Sequence, residues 1–85
     1  MTATTSVLHE VVIAEWWLDT DRKIVISLNQ YVGGDWCFVS VIWSRTDDGT
    51  LNPDRSFWVR VEHVERLAAA VEKARCGAVA RDLIP

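Results

Sequence analysis

The chain is poor in the residues that usually announce chemistry. Of its 85 residues only two are Cys, two His, two Pro, four Gly and one Met. Cys37 and Cys76 lie far apart with no C-x-x-C spacing; nothing in the sequence supports a disulfide between them, and both are expected as small buried thiols in a reducing cytoplasm. His9 sits beside the N-terminal segment and His63 just before a helical pattern; neither has a nucleophile or metal partner in the sequence, which leaves exposed or capping roles. "DTD" and "TDDG" look like pieces of a calcium loop but lack its full spacing, and they read as turns. Gly33 and Gly34 join two strands and open no helix, so they form no phosphate-binding loop. No apolar run approaches the roughly 20 residues of a membrane span. The opening "MTATTSVLHE" has neither the basic nor the apolar region of a signal peptide. A non-enzyme is expected, with no cofactor, metal, small-molecule substrate or membrane, located in the cytoplasm.

What the chain has in excess is tryptophan, five in 85 residues, within a globular composition of 49% apolar and 25% charged residues. Trp is enriched at interfaces and stacking surfaces as well as in cores. The net charge of −3 weighs against a polyanionic partner, but it is unevenly placed. The first 21 residues hold four acids and no Lys or Arg, while the remaining 64 carry nine basic and eight acidic groups. A chain this short buries only about 60% of the surface it exposes when unfolded, and a dimer would relieve so thin a core.

Residues 1–8 read as a flexible tail and 9–85 as one domain. "VVIAEWWL" (11–18) is β-branched and aromatic, and "DTDR" (19–22) is a turn. "KIVISLNQY" (23–31) alternates, with Ile24, Ile26 and Leu28 opposite Lys23, Val25, Ser27, Asn29 and Tyr31. "VGGD" (32–35) is a tight hairpin, and "WCFVSVIWS" (36–44) a third strand apolar on nearly both sides. "DDGT" and "NPDR" mark turns before a fourth strand, "SFWVRVE" (56–62). From Val64 the period changes: Leu67, Ala68, Val71, Ala74 and Ala78 make the stripe of an amphipathic helix that Gly77 weakens or ends.

The order is β-β-β-β-α, an α+β fold with a four-stranded antiparallel sheet. One helix covers one face of such a sheet. The other, with Tyr31, Trp58 and Arg60 among its candidates, must meet solvent, a second subunit or a ligand.

Tyr31, Trp36, Trp43 and Trp58 lie on or beside the central strands, interleaved with Lys23, Arg45, Arg55 and Arg60. Rings among cations on an open sheet are how single-stranded nucleic acid is held: bases stack on the rings and cations neutralise phosphates. The competing reading, which residue types alone favour, is that most of these rings are core or dimer contact.

In order and spacing the chain resembles the single-stranded-DNA-binding domain of transcriptional positive cofactor four, and especially its short bacterial relatives. The carriers are "AEWW" (14–17), "IVISLNQYVGG" (24–34), Trp43 closing the third strand, "DGTLNP" with Arg55 beyond it, and "VERLAAAVEKA" (64–74). The resemblance runs from about Ile13 to Leu83. It implies a curved sheet with a C-terminal helix, a homodimer, and binding of unpaired DNA with little sequence preference in transcription or DNA maintenance. RNA is the alternative polymer, and a nucleoid association would follow from DNA binding.

By position, the resemblance implies DNA-contact roles for Tyr31, Trp43 and Arg55. Other basic positions of the family are occupied here by Val32, Gly34, Ser40, Asn52 and Ser56, and Asp54 enters the turn after the proline. The expected site is therefore Tyr31, Trp43 and Trp36 stacking bases, Lys23, Arg45, Arg55 and Arg60 meeting phosphates, and Asn52 at the position of a family lysine. The alternative function is a homodimeric protein-interaction module of the same fold that has lost DNA binding.

Overall fold

The alternation in residues 23–31 and the paired glycines after it form what their chemistry calls for, a β-hairpin within a four-stranded meander. The computed structural model describes residues 7–85, in which strands β1 (Val7–Trp17), β2 (Arg22–Tyr31), β3 (Trp36–Arg45) and β4 (Leu51–Arg60) pair antiparallel in sequential order. A 3₁₀ turn (Val61–His63) leads into helix α1 (Val64–Ala80). The fold is α+β, an open sheet followed by one helix. No helix among the described residues is long and apolar enough to cross a membrane.

Each connection is closed by local chemistry. Asp19 Oδ1 accepts the backbone N–H groups of Asp21 (2.9 Å) and Arg22 (2.8 Å), the bonds of an Asx turn. At the β2–β3 hairpin Gly33 and Gly34 take φ of 104° and 92°, a region costly for any residue with a Cβ. Between β3 and β4, Asp48 Oδ1 accepts from the Thr46 hydroxyl and from the Thr50 N–H at 2.9 Å, while Gly49 turns the chain at φ 87°.

Three boundaries depart from the sequence pattern. β1 already includes Val7 and Leu8; the rest of the expected tail lies outside the described residues. β4 starts at Leu51, so "NPDR" is strand and not turn. Pro53 is tolerated because β4 is an edge strand and because the register slips beside it, between Ile42 and Trp43. The helix runs through Gly77 and stops instead at Asp82, whose φ is 58°. There Leu83 N–H reaches Ala78 O (2.9 Å) and Asp82 N–H reaches Val79 O (3.1 Å), the paired bonds of a Schellman stop. The cysteines also divide: Cys37 is buried as expected, but Cys76 is exposed on α1.

Three extra residues, Leu8 and Ile13 in β1 and Asp54 in β4, interrupt the pairing. Such bulges bend their strands and increase the local twist. Following the register around them sorts the sheet into two faces. One carries Ile24, Ile26, Leu28, Phe38, Ile42, Phe57 and Val59. The other carries Val25, Ser27 and Asn29 beside Cys37, Val39 and Val41.

α1 leaves the sheet on the first of these faces, where Phe38, Val64, Leu67, Ala68 and Val71 border a shallow cavity of about 260 Å³. No residue of α1 is buried, and Val71 is 61% exposed. The radius of gyration is 15.5 Å, against about 12 Å for a compact chain of this length. The accessible surface is 6785 Å², against roughly 5,100 Å² for a folded monomer of this mass. The apolar face and the helix stripe are thus largely unpartnered within one chain.

Candidate nucleic-acid interface

The second face has no helix over it, yet it holds the most buried residues of the described chain: Ser27, Asn29, Cys37 and Val39. They sit on the two central strands, β2 and β3, with β1 and β4 on either side. Ser27 Oγ donates to Asn29 Oδ1 at 3.0 Å, giving the trough a polar floor whose groups are satisfied. A depression of about 390 Å³ crosses all four strands here, with Glu10, Glu15, Lys23, Trp43 and Leu51 among its walls.

Five of the eight expected site residues meet on this face. Lys23 is paired with Trp43 across β2 and β3, Arg45 follows two positions on, and Tyr31 and Arg60 stand at the opposite end. Trp58, opposite Val39, joins them with 61% of its surface exposed. The other three fall on the apolar face: Trp36 pairs with Gln30, Arg55 with Ile42 and Asn52 with Ser44. Trp36 and Trp43 are seven residues apart on one strand, an odd number, so alternation itself separates them.

The two ends of the trough differ. At the glycine hairpin, Tyr31, Val32, Asp35, Cys37, Trp58 and Arg60 line a cleft of about 340 Å³. Arg60 Nη2 is 4.0 Å from Asp35 Oδ2, outside hydrogen-bond range, so its donors face the cleft without a close acceptor from that acid.

The other end is closed by its own charges. Lys23 Nζ lies 2.9 Å from Glu15 Oε1 and 5.7 Å from the centre of the Trp17 ring. Arg45 Cζ lies 5.1 Å from the same ring centre, within cation–π range. Its Nε is 4.0 Å from Asp21 Oδ1, and its Nη1 donates to Gly49 O at 3.3 Å. Every groove cation therefore faces a carboxylate, and two of the three share one indole.

The loops below this end are acidic and tightly held. The Arg22 guanidinium on Asp19, helped by the N–H groups of Asp21 and Arg22, keeps the Asp19 carboxyl below the usual carboxylate range. The Thr46 hydroxyl and the Thr50 N–H lower Asp48 to about 2. Both side chains are ionised at neutral pH; Arg22 balances the charge of Asp19, while Asp48 adds negative charge near the closed end.

Glu10, Glu15 and Trp17 are the groove residues that strand patterning did not single out. Their places follow from a hairpin register and two bulges, neither of which leaves a signal in the alternation of one strand. His9 is exposed on β1 and His63 lies in the 3₁₀ turn before α1. Among the described residues no group of three His, Cys, Asp or Glu is arranged to hold a metal ion. Comparison with protein-family models finds no match for the chain, and comparison with curated proteins finds none either.

Proposed function

We propose that this chain is a homodimeric module that binds single-stranded nucleic acid, DNA above all, with little sequence preference and no catalytic activity. One observation carries the reading: Tyr31, Trp43 and Trp58 stand on the same helix-free face as Lys23, Arg45 and Arg60. Every base has a flat π surface, so stacking on such rings is sequence-tolerant and contributes about 1–3 kcal/mol per base. Duplex bases are already stacked on one another and cannot offer their faces, which makes the preference one for unpaired strands. The homodimer is supported by the excess accessible surface and by the bare apolar stripe of α1. The family resemblance points to a setting in transcription or DNA maintenance, and the two free thiols fit a reducing cytoplasm.

A tryptophan-fluorescence titration with single-stranded oligonucleotides at low and high salt tests the proposal. Quenching at low salt, weakened by added salt and by annealing a complementary strand, is expected. No quenching at low salt, or equal affinity for duplex, refutes it.

The second reading, a protein-interaction module that has lost DNA binding, draws on the pairing of each groove cation with an acid. It requires the titration to show no binding while the dimer and fold persist.

A further inference from the structure

We infer that Glu15 is an intramolecular competitor for the phosphate position at Lys23 and thereby sets how tightly the groove holds a polyanion. This rests on the nucleic-acid reading above and adds to it a residue that limits affinity.

Glu15 pairs in register with Val25, and Trp17 with Lys23, so Glu15 is the diagonal neighbour of Lys23 on the groove face. Diagonal pairs across antiparallel strands are within reach of long side chains. The carboxylate oxygen stands 2.9 Å from Nζ, the distance a phosphate oxygen would take in a charge-assisted bond. The Trp17 ring holds the same ammonium group from another direction. Lys23 thus already has a close anionic partner before any ligand arrives.

The pair is nevertheless open to exchange, because the side chains of Lys23 and Glu15 are 25% and 48% exposed. A phosphate that takes the position of the carboxylate must displace it into water, and one that binds beside it meets its negative charge. The other two groove cations are held less firmly, each 4.0 Å from its acid. Among the described residues Glu10 lines the same depression without any ion-pair partner, and it supplies a matched control.

Glu15→Gln keeps the shape of the side chain and removes its charge. The assay is anisotropy of a labelled single-stranded thymidine oligonucleotide over a salt series, with circular dichroism to confirm folding. One recovered phosphate contact on a single strand steepens the log–log salt slope by about 0.7, which at about 50 mM salt is roughly 8-fold tighter binding. Adding Lys23→Gln to Glu15→Gln should cancel the gain, the signature of a coupled pair. Glu10→Gln, which changes net charge equally, should move affinity much less.

If the wild type binds and Glu15→Gln changes neither affinity nor slope, the inference fails while the nucleic-acid reading stands. An equal gain from Glu10→Gln also overturns it, because net charge alone would then explain the effect. If neither the wild type nor Glu15→Gln binds at low salt, the reading falls and takes the inference with it.

Discussion

If the face with the polar floor is the binding face, replacing Trp58 must matter and replacing Trp36 must not. Trp58 faces Val39 across the sheet and is 61% exposed; Trp36 pairs with Gln30 on the opposite face and is 37% exposed. Truncating so exposed a ring as Trp58 leaves no cavity, so Trp58→Ala should fold normally. The loss of one stacking ring, about 1–3 kcal/mol, corresponds to roughly 5- to 150-fold weaker binding. Trp36→Ala should stay within about twofold of the wild type, inside the variation of a surface substitution. The assay is again anisotropy of a labelled single-stranded oligonucleotide at low salt, because removing a tryptophan alters intrinsic fluorescence. The arginines repeat the contrast. Arg60→Ala should lower the salt slope by about 0.7, and Arg55→Ala, on the face of Ile42, should leave it unchanged. Equal losses from Trp36→Ala and Trp58→Ala, or a larger loss from Trp36→Ala, would refute the assignment of faces.

Three further outcomes are expected. Light scattering during gel filtration should give a dimer mass for the wild type, and Val71→Asp, on the bare stripe of α1, should abolish it; a monomeric wild type would sink the dimer. Gly34→Ala should lower the melting temperature by about 4–8 °C per kcal/mol lost, with about 1 kcal/mol expected. The added Cβ at Gly34 would meet nothing within 4 Å, so the whole cost comes from φ 92°; an unchanged melting temperature would contradict it. Asp48 has its pKa lowered from 3.8 to about 2, so its ionised form stabilises the fold fully above about pH 4 and loses that effect as pH falls through about 2. The melting-temperature gap between wild type and Asp48→Asn should therefore be constant near neutrality and close on acidification; a gap that widens in acid reverses the sign and excludes the mechanism.

The elements of this fold are legible because each rests on a local rule. Alternation gives β2, paired glycines give the hairpin after it, and an i, i+3, i+4 stripe gives α1. Bulges obey no such rule. The extra residue Asp54 places Arg55 opposite Ile42, on the apolar face, although resemblance by position implies a DNA contact there. The end of α1 escaped for a related reason: Gly77 tolerates helical geometry, while Asp82 supplies the positive φ that glycine usually provides. The groove was half legible. Tyr31, Trp43 and Lys23 follow from parity on β2 and β3, whereas Glu15 and Trp17 enter only through the register that the β1–β2 turn fixes.

The polar floor argues for a division of labour between the faces. A face meant to be covered by another apolar layer would carry aliphatic residues at its centre, as the other one does at Ile24, Ile26 and Leu28. At the equivalent centre this face sets Ser27 and Asn29, bonded to each other, among Val25, Val39 and Val41, and its walls carry Glu10, Glu15 and Lys23. Pressing those charges against a second apolar surface would cost their hydration without replacing it. Assembly is therefore best served by the helix and the aliphatic face, leaving the trough wet. In a dimer built that way both troughs stay open, and a strand long enough to reach both would bind more tightly than two short ones through effective concentration alone. Affinity should consequently rise with oligonucleotide length beyond the span of one groove, and Val71→Asp should remove that rise while leaving the short-strand affinity unchanged.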